Sequence, residues 1–374
     1  MTAGGTASQP RPVVVMTPDW RAGGNPYLDL LAASVAAQGW AVRFADLPDG
    51  DFALTRLVRR ERPDVLHLHW ANELLAPCAW ARHAVVGWLR RRKLAADVRA
   101  ARRQGARVVW TVHNLVAHDS SHPQHELRAR AVLADAVDHV IVHSNGALQA
   151  LHHAYRNGAP RAGRCSVIHH GNYDGHYPPN PALEAQLRKR WRLDGDQTVL
   201  LFFGSVRRYK GLGRLLAAMR GCDRADLRVI VAGRPADDET RRELDQACAN
   251  DPRLLVEPSF IADADAAAYY AVADAVVIPF ERTLTSGSAV LAMTMGKALL
   301  LPGAARLLDL CDDSGALYFD DDAGLLRLLQ TLDRVSVRTM GQRNRLAAAG
   351  FDWPTVGRRT ALAYQPAMPQ VAPR

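Results

Sequence analysis

Residues 198–219 read TVLLFFGSVRRYKGLGRLLAAM. An uncharged apolar run ends at Gly204, a basic turn follows, and helical spacing of apolar residues begins near Gly211. A run of this kind closed by a glycine predicts a strand, a turn and a helix, the repeating unit of an α/β sheet. Ligands of open α/β sheets lie outside the carboxyl ends of the strands, so this turn is where chemistry is expected. Arg207 and Lys210 beside a helix N-terminus suit a diphosphate, by charge, by the guanidinium fork and by the helix dipole. A plain basic surface turn is the alternative. The turn is no Walker loop, because G-x-x-x-x-G-K-[ST] is absent. Nor does G-x-G-x-x-G follow the first apolar run, which disfavours a nicotinamide dehydrogenase.

The alternation extends outward from this unit in both directions. Upstream lie PVVVMTP (12–18), AVRFADL (41–47), DVLHLHW (64–70), RVVWTVH (107–113), HVIVHS (139–144) and CSVIHHG (165–171). Helical stretches such as 26–38 and 126–137 separate them. Downstream follow DLRVIVAG (226–233), RLLVEPSF (253–260), DAVVIPF (274–280), ALLLPG (298–303) and ALYFD (316–320). Apolar strands alternating with helices imply parallel sheets covered on both faces. Two successive sets predict an α/β chain of two Rossmann-like, doubly wound domains. The polar, proline-bearing segment 174–197 marks the boundary. The expected division is a disordered tail over 1–12, a first domain over 13–178, a second over 179–350, and a closing helix and tail over 351–374.

At 374 residues the chain has length for two cores, and 48% hydrophobic with 23% charged residues is ordinary for a globular enzyme. No apolar stretch reaches the roughly 18 residues of a spanning helix, and the first twelve residues lack the apolar core of a secretory signal. The five cysteines are scattered without a C-x-x-C pair, which fits a reducing cytoplasm and suggests neither zinc nor a disulfide framework. Net charge is +9, and residues 81–107 supply +8 of it, with nine Arg/Lys against Asp97 alone. No zinc-finger or RNA-recognition signature accompanies this patch, so nucleic acid is not the expected partner. Trp80, Val85, Val86, Trp88 and Leu89 lie beside Arg90, Arg91, Arg92 and Lys93. That mixture suits an anionic membrane surface; a solvated helix face with a few core residues is the alternative.

The strand ends carry an unusual set of side chains. In the first half they are Asp19-Trp20, His69-Trp70, His113-Asn114, Ser144-Asn145 and His170-Gly171; in the second they are Gly204 to Lys210, Gly233-Arg234, Phe260 and the stretch 279–300. A single histidine at such a place is more often a capped loop residue than a catalyst. Several together point to one rim.

The chain resembles a nucleotide-sugar-dependent glycosyltransferase of the GT-B architecture, close to glycosyltransferase family 4. The pieces that carry the resemblance are NPYLDLLAASVAAQGWAV (25–42), DVLHLHWANELL (64–75), VVWTVHNLVAHD (108–119), SVIHHGNYDGHYPP (166–179), FFGSVRRYKGLGRLL (202–216) and ADAVVIPFERTLTSGSAVLAMTMGKALL (273–300). The resemblance implies two domains facing a cleft, with the final helix crossing back to the first. It implies a donor site of Gly204, Arg207, Lys210, Gly233, Arg234, Phe260, Glu281, Thr285, Ser286, Gly287 and Ser288. It implies an acceptor site of Asp19, Asn25, His69, Trp70, Asn114, His170 and Gly171, the last in a loop facing the cleft. His113 stands where a histidine lies beside the transferred sugar, and Arg207 and Lys210 where a basic pair grips the diphosphate. Those three are the expected catalytic residues.

One segment departs from the family. Relatives carry two glutamates separated by seven residues where this chain has Thr283 and Leu291, so donor contacts here must differ. Glu281 lies two residues early, and Thr285 and Ser286 suit a helix cap with the Gly287 and Ser288 amides free for phosphate. Asp263-x-Asp265 resembles a metal-binding pair but reads as a helix cap, so neither metal nor cofactor is expected. The expected function is transfer of a sugar from GDP-mannose or a UDP-sugar to a hydroxyl of a saccharide, lipid-linked at the cytoplasmic membrane face, in polysaccharide biosynthesis. The alternatives are a soluble enzyme acting on a small molecule or antibiotic, a nucleotide-sugar epimerase, and a non-catalytic nucleotide-sugar-binding homologue.

Overall fold

The computed structural model describes residues 11–19, 25–80, 83–117, 120–155, 158, 160, 163–193, 195–280 and 283–366. The expected tail, except Arg11 and Pro12, and Trp20, Arg82 and Glu281 lie outside these residues. The first set of elements is β1 (Val13–Thr17), α1 (Tyr27–Ala36), β2 (Ala41–Phe44), α2 (Ala53–Glu61), β3 (Val65–Leu68), α3 (Asn72–Ala79), α4 (Ala84–Arg103), β4 (Arg107–Thr111), α5 (Pro123–Ala136), β5 (His139–Val142), α6 (Asn145–Ala154) and β6 (Cys165–Val167). The second is α7 (Pro181–Arg190), β7 (Thr198–Phe203), α8 (Leu212–Gly221), β8 (Leu227–Ala232), α9 (Asp238–Asn250), β9 (Leu254–Glu257), α10 (Asp263–Val272), β10 (Ala275–Val277), α11 (Gly287–Thr294), β11 (Ala298–Pro302), β12 (Ala316–Phe319), α12 (Asp322–Thr331) and α13 (Arg334–Ala349). The last helix is α14 (Trp353–Ala363).

Each apolar run forms a strand, and most strands stop short of the run's carboxyl end. His69, Trp70, His113, Ser144 and His170 leave the ladder and become loop. Two six-stranded sheets result, ordered β2-β1-β3-β4-β5-β6 and β12-β11-β10-β7-β8-β9, with every strand pairing among the described residues parallel. Strand order reverses between β1 and β3 in the first sheet and between β7 and β10 in the second, the crevices where open sheets hold ligands.

The chain divides into two compact units, residues 1–171 with 353–374 and residues 172–352. The break at 171/172 precedes the proline-bearing segment because Asn172 belongs to the second unit: its N–H donates to the Phe351 carbonyl at 2.8 Å and its amide to the Ala348 carbonyl at 2.9 Å. In the first unit, Val14, Met16, Leu28, Leu31, Val65 and Val109 form a buried core that Val356 and Tyr364 of the closing segment complete. Tyr364 Oη lies 2.8 Å from His67 Nδ1. In the second unit, Leu200, Leu215, Val229, Val277 and Leu300 head a second core.

The basic segment folds with its faces separated. On α4, Leu94, Val98 and Ala101 are buried, and so is Asp97. Its carboxylate accepts from the Leu54 and Thr55 N–H groups at 3.0 and 2.9 Å, closing the first turn of α2. Val85, Trp88 and Leu89 are instead exposed, 68, 49 and 53%, and the Arg92 guanidinium lies 4.7 Å from the Trp88 ring centre.

Candidate functional site

In the second unit, the loops after β7 and β8 are zipped together. Gly204 N–H donates to the Ala232 carbonyl, Val206 N–H to Arg234, and Ala236 N–H to Val206, each at 2.9 Å. A Cβ on Gly233 would run into the Gly204 carbonyl, so the two strand ends meet backbone to backbone. Residues 208–210 make one 3₁₀ turn, and Gly211, at φ 79°, redirects the chain into α8. That left-handed conformation and the Pro279 carbonyl against its α-carbon both require a glycine.

On this floor the cations divide into two kinds. Arg208 pairs with Glu239 at 2.8 Å and Arg214 with Asp322 at 2.6 Å. Arg207 and Lys210 have no carboxylate partner among the described residues. The Lys210 Nζ hangs 3.5 Å from where a Gly204 Cβ would be. Burial first, and Arg207 second, push its ammonium down from 10.5 to about 8. An anion placed here would reverse that shift, because an opposite charge favours the protonated form. Arg234 and Phe260 follow β8 and β9 and are exposed, Phe260 at 61%.

The segment after β10 gives a capped helix. Ser286 Oγ accepts from the Ala289 N–H at 3.2 Å, and the Thr283 hydroxyl bonds the Thr285 carbonyl. The Gly287 and Ser288 N–H groups are first-turn donors of α11, with no acceptor inside the helix. Asp263 and Asp265 lie in the first turn of α10, whose cap is Ala262 rather than either aspartate. They bond His176 at 3.3 Å and the Asn180 amide at 3.1 Å. Among the described residues no group of three His, Cys, Asp or Glu could hold a metal ion.

In the first unit, the strand-end histidines gather around one tyrosine. The Tyr27 ring centre lies 5.9 Å from His69, 5.3 Å from His113, 5.9 Å from His143 and 4.7 Å from His170. Trp70 stacks on His113 at 4.4 Å and 14°. His69 Nδ1 lies 3.3 Å from His113 Nε2, so one ring donates and the other accepts. This leaves Nδ1 as the His113 nitrogen for an incoming group. Burial, and then the other histidines, hold His69 and His113 well below the ordinary histidine value, and His143 falls to about 3. The cluster is therefore neutral at physiological pH. Desolvating the charge in a buried site is too costly for four imidazolium ions.

The loop carrying His113 is braced from behind. Arg130, buried, donates to the Asn114 carbonyl at 3.0 Å, to Asn72 Oδ1 at 2.8 Å and to Glu126 at 2.7 Å. Asn25 Oδ1 accepts from the Tyr27 N–H at 3.1 Å at the start of α1, and Asp19 N–H donates to Asp46 at 2.9 Å. Gly171 does not sit in an open loop. It is buried, and a Cβ there would overlap the Trp353 indole, so packing against α14 explains this glycine. Sequence reasoning passed over Tyr27, His67, His143 and Trp353. His67 and His69 in VLHLHW share one side of a strand by the two-residue period, and that spacing was the available signal.

Residues 197–332 match the family model described as Glycosyl transferases group 1. The chain is similar to a GDP-mannose:glycolipid 4-beta-D-mannosyltransferase of Xanthomonas campestris pv. campestris, 28% identical over 97% of this chain and 94% of the relative. Among solved structures, Anabaena Alr3699/HepE in complex with UDP and glucose superposes with a TM-score of 0.70 at 18% identity, over 94% of this chain and 99% of that one. Sucrose-phosphate synthase (tll1590) from Thermosynechococcus elongatus does so with a TM-score of 0.70 at 20% identity, over 95 and 98%. At these identities the two structures establish a shared fold.

Proposed function

We propose that this chain, a glycosyltransferase of the GT-B architecture whose group 1 domain spans residues 197–332, moves mannose from GDP-mannose to a hydroxyl of a glycolipid. The observation that carries the reading is the likeness to the Xanthomonas mannosyltransferase along 97% of the chain, through both sets of strand ends. The roles divide between the units. In the second, Arg207 and Lys210 receive the diphosphate, together with the first-turn amides of α11. Breaking the sugar–phosphate bond gathers negative charge on the departing GDP, and two cations with no carboxylate partner among the described residues stabilise that charge. The pair and the amides supply the charge compensation that a divalent ion would otherwise give.

In the first unit, His113 is the proton acceptor for the attacking hydroxyl. A β-linked product from an α-linked donor requires attack on the face opposite the phosphate, with a base at the attacking oxygen. His113 is neutral and so able to accept a proton, and its Nε2 is held by His69. A histidine partner replaces the carboxylate that more often orients a catalytic imidazole.

The acceptor's lipid is met by α4. Among the described residues no helix is long and apolar enough to cross a membrane. Exposed Val85, Trp88 and Leu89 beside Arg90 and Arg92 fit a peripheral contact, apolar side chains inserting and cations meeting headgroups. A thermal-shift series with GDP-mannose, GDP-glucose, UDP-glucose and dTDP-glucose tests the donor. GDP-mannose is expected to give the largest rise in Tm, since a ligand bound only by the folded state stabilises it by mass action. A UDP- or dTDP-sugar giving the larger rise would overturn the choice of donor.

A further inference from the structure

A cavity of about 280 Å³ lies in the first unit beside α3 and α5, lined among others by Asn72, Glu73, Trp80, Ser121, His122 and Glu126. None of these residues belongs to the donor or histidine clusters described above. Its buried wall is the Glu126 carboxylate, 5% exposed. Oε1 accepts from the Ala117 N–H at 2.8 Å and from Arg130 Nε and Nη2 at 2.7 and 2.6 Å. Those three bonds all fall on Oε1, so Oε2 has acceptor capacity to spare. The outer wall is Trp80, 63% exposed, its ring edge-on to His122 at 6.2 Å between centres.

A flat exposed indole facing carboxylate, amide and hydroxyl groups matches the two sides of a sugar ring. The C–H face of the ring packs on the indole, and its hydroxyls donate to Glu126 and Glu73 and bond Asn72 and Ser121. The volume is at the small end of ligand cavities, about 300–1,000 Å³, which suits a sugar ring and excludes a nucleotide. Two carboxylates on the walls select a neutral ring over a uronic acid. We propose that this cavity is a subsite for a neutral sugar of the acceptor glycolipid, a ring other than the one that receives mannose.

This inference rests on the transferase reading, and two connections tie the cavity to it. Arg130 bonds Glu126 on the cavity side and the Asn114 carbonyl on the other, so the occupant bears on the loop that carries His113. Trp80 also stands four residues before α4, and Arg90 of α4 bonds the Pro77 carbonyl of α3. A glycolipid whose tail meets Val85, Trp88 and Leu89 would present its sugars at Trp80.

The test is saturation-transfer NMR of the full chain with methyl β-cellobioside, methyl β-lactoside and methyl α-mannobioside, none of which carries a lipid. At least one is expected to give a saturable signal, reduced tenfold or more in Trp80→Ala and in Ser121→Trp, which fills the cavity from an exposed position. The GDP-mannose thermal shift, read on the same samples, reports that the variants are folded. No signal from any glycoside, or a signal undiminished in both variants, overturns the subsite. Because this reading needs no turnover, it is separable from failure of the transferase assignment, which an absence of GDP release would show. A loss of vesicle binding in Trp80→Ala with glycoside binding intact would make Trp80 a membrane contact and also overturn the subsite.

Discussion

Lys210 is a cation with no carboxylate counter-ion among the described residues. Burial lowers its ammonium to about 8, so the free protein gives up this charge as pH rises through that value. Donor affinity is therefore expected to fall as pH passes about 8, and Lys210→Arg, which stays charged, should remove that dependence. Replacing Lys210 or Arg207 by alanine should lower kcat/KM by about 10²–10³-fold with little change in Tm, the scale seen when one group stabilising transition-state charge is lost. Steady-state kinetics from pH 6.5 to 9 reads both effects, and near-normal rates in both alanine variants would place the diphosphate elsewhere. The local frame of these two residues was legible in the sequence because a strand, a glycine and a basic turn are neighbours in the chain. The His69–His113 contact was not, since it joins residues 44 positions apart on adjacent strands. Gly171 misled for the same reason: the indole that requires a glycine there is supplied by residue 353.

At the scale of elements, the strands announced themselves through continuous apolar runs, and each was read a little too long. The extra residues include the proposed site residues, polar or aromatic side chains that continue the period but leave the ladder. The helix α4 shows the opposite limit. Its charge count suggested a surface element, but only the structure separates buried Leu94 and Val98 from exposed Val85, Trp88 and Leu89. Exposed apolar groups flanked by arginines are costly in water unless a partner covers them. Co-sedimentation with vesicles containing anionic lipid is expected, and Trp88→Ser with Leu89→Ser should release the protein. Neutralising Arg90 and Arg92 should weaken binding more at low salt than at high salt. Indifference of the unaltered chain to vesicles would remove α4 from the acceptor's path.

For the whole molecule, the neutral histidine cluster sets a limit on acid stability. His67 and His143 are held at about 3 and His170 at about 4, against an ordinary 6.5, mainly by burial. The unfolded chain thus takes up protons first as pH falls, and stability present above 6.5 drains away toward 4. Each such histidine contributes a loss of about 1.4 kcal/mol per pH unit within that window. Urea midpoints measured at pH 7.5, 6.5 and 5.5 should fall steeply between the last two; a flat profile would mean the cluster is not buried and neutral in solution. The most direct test of the account is transfer itself. Purified protein is incubated with radiolabelled GDP-mannose and membrane glycolipid, and GDP release is followed beside label in the lipid phase. The account predicts glycolipid-dependent GDP release with matching label in the lipid, both lowered about 10²–10³-fold in Lys210→Ala and strongly reduced in His113→Ala. Donor binding without GDP release or lipid labelling, in the presence of the glycolipid, would contradict it.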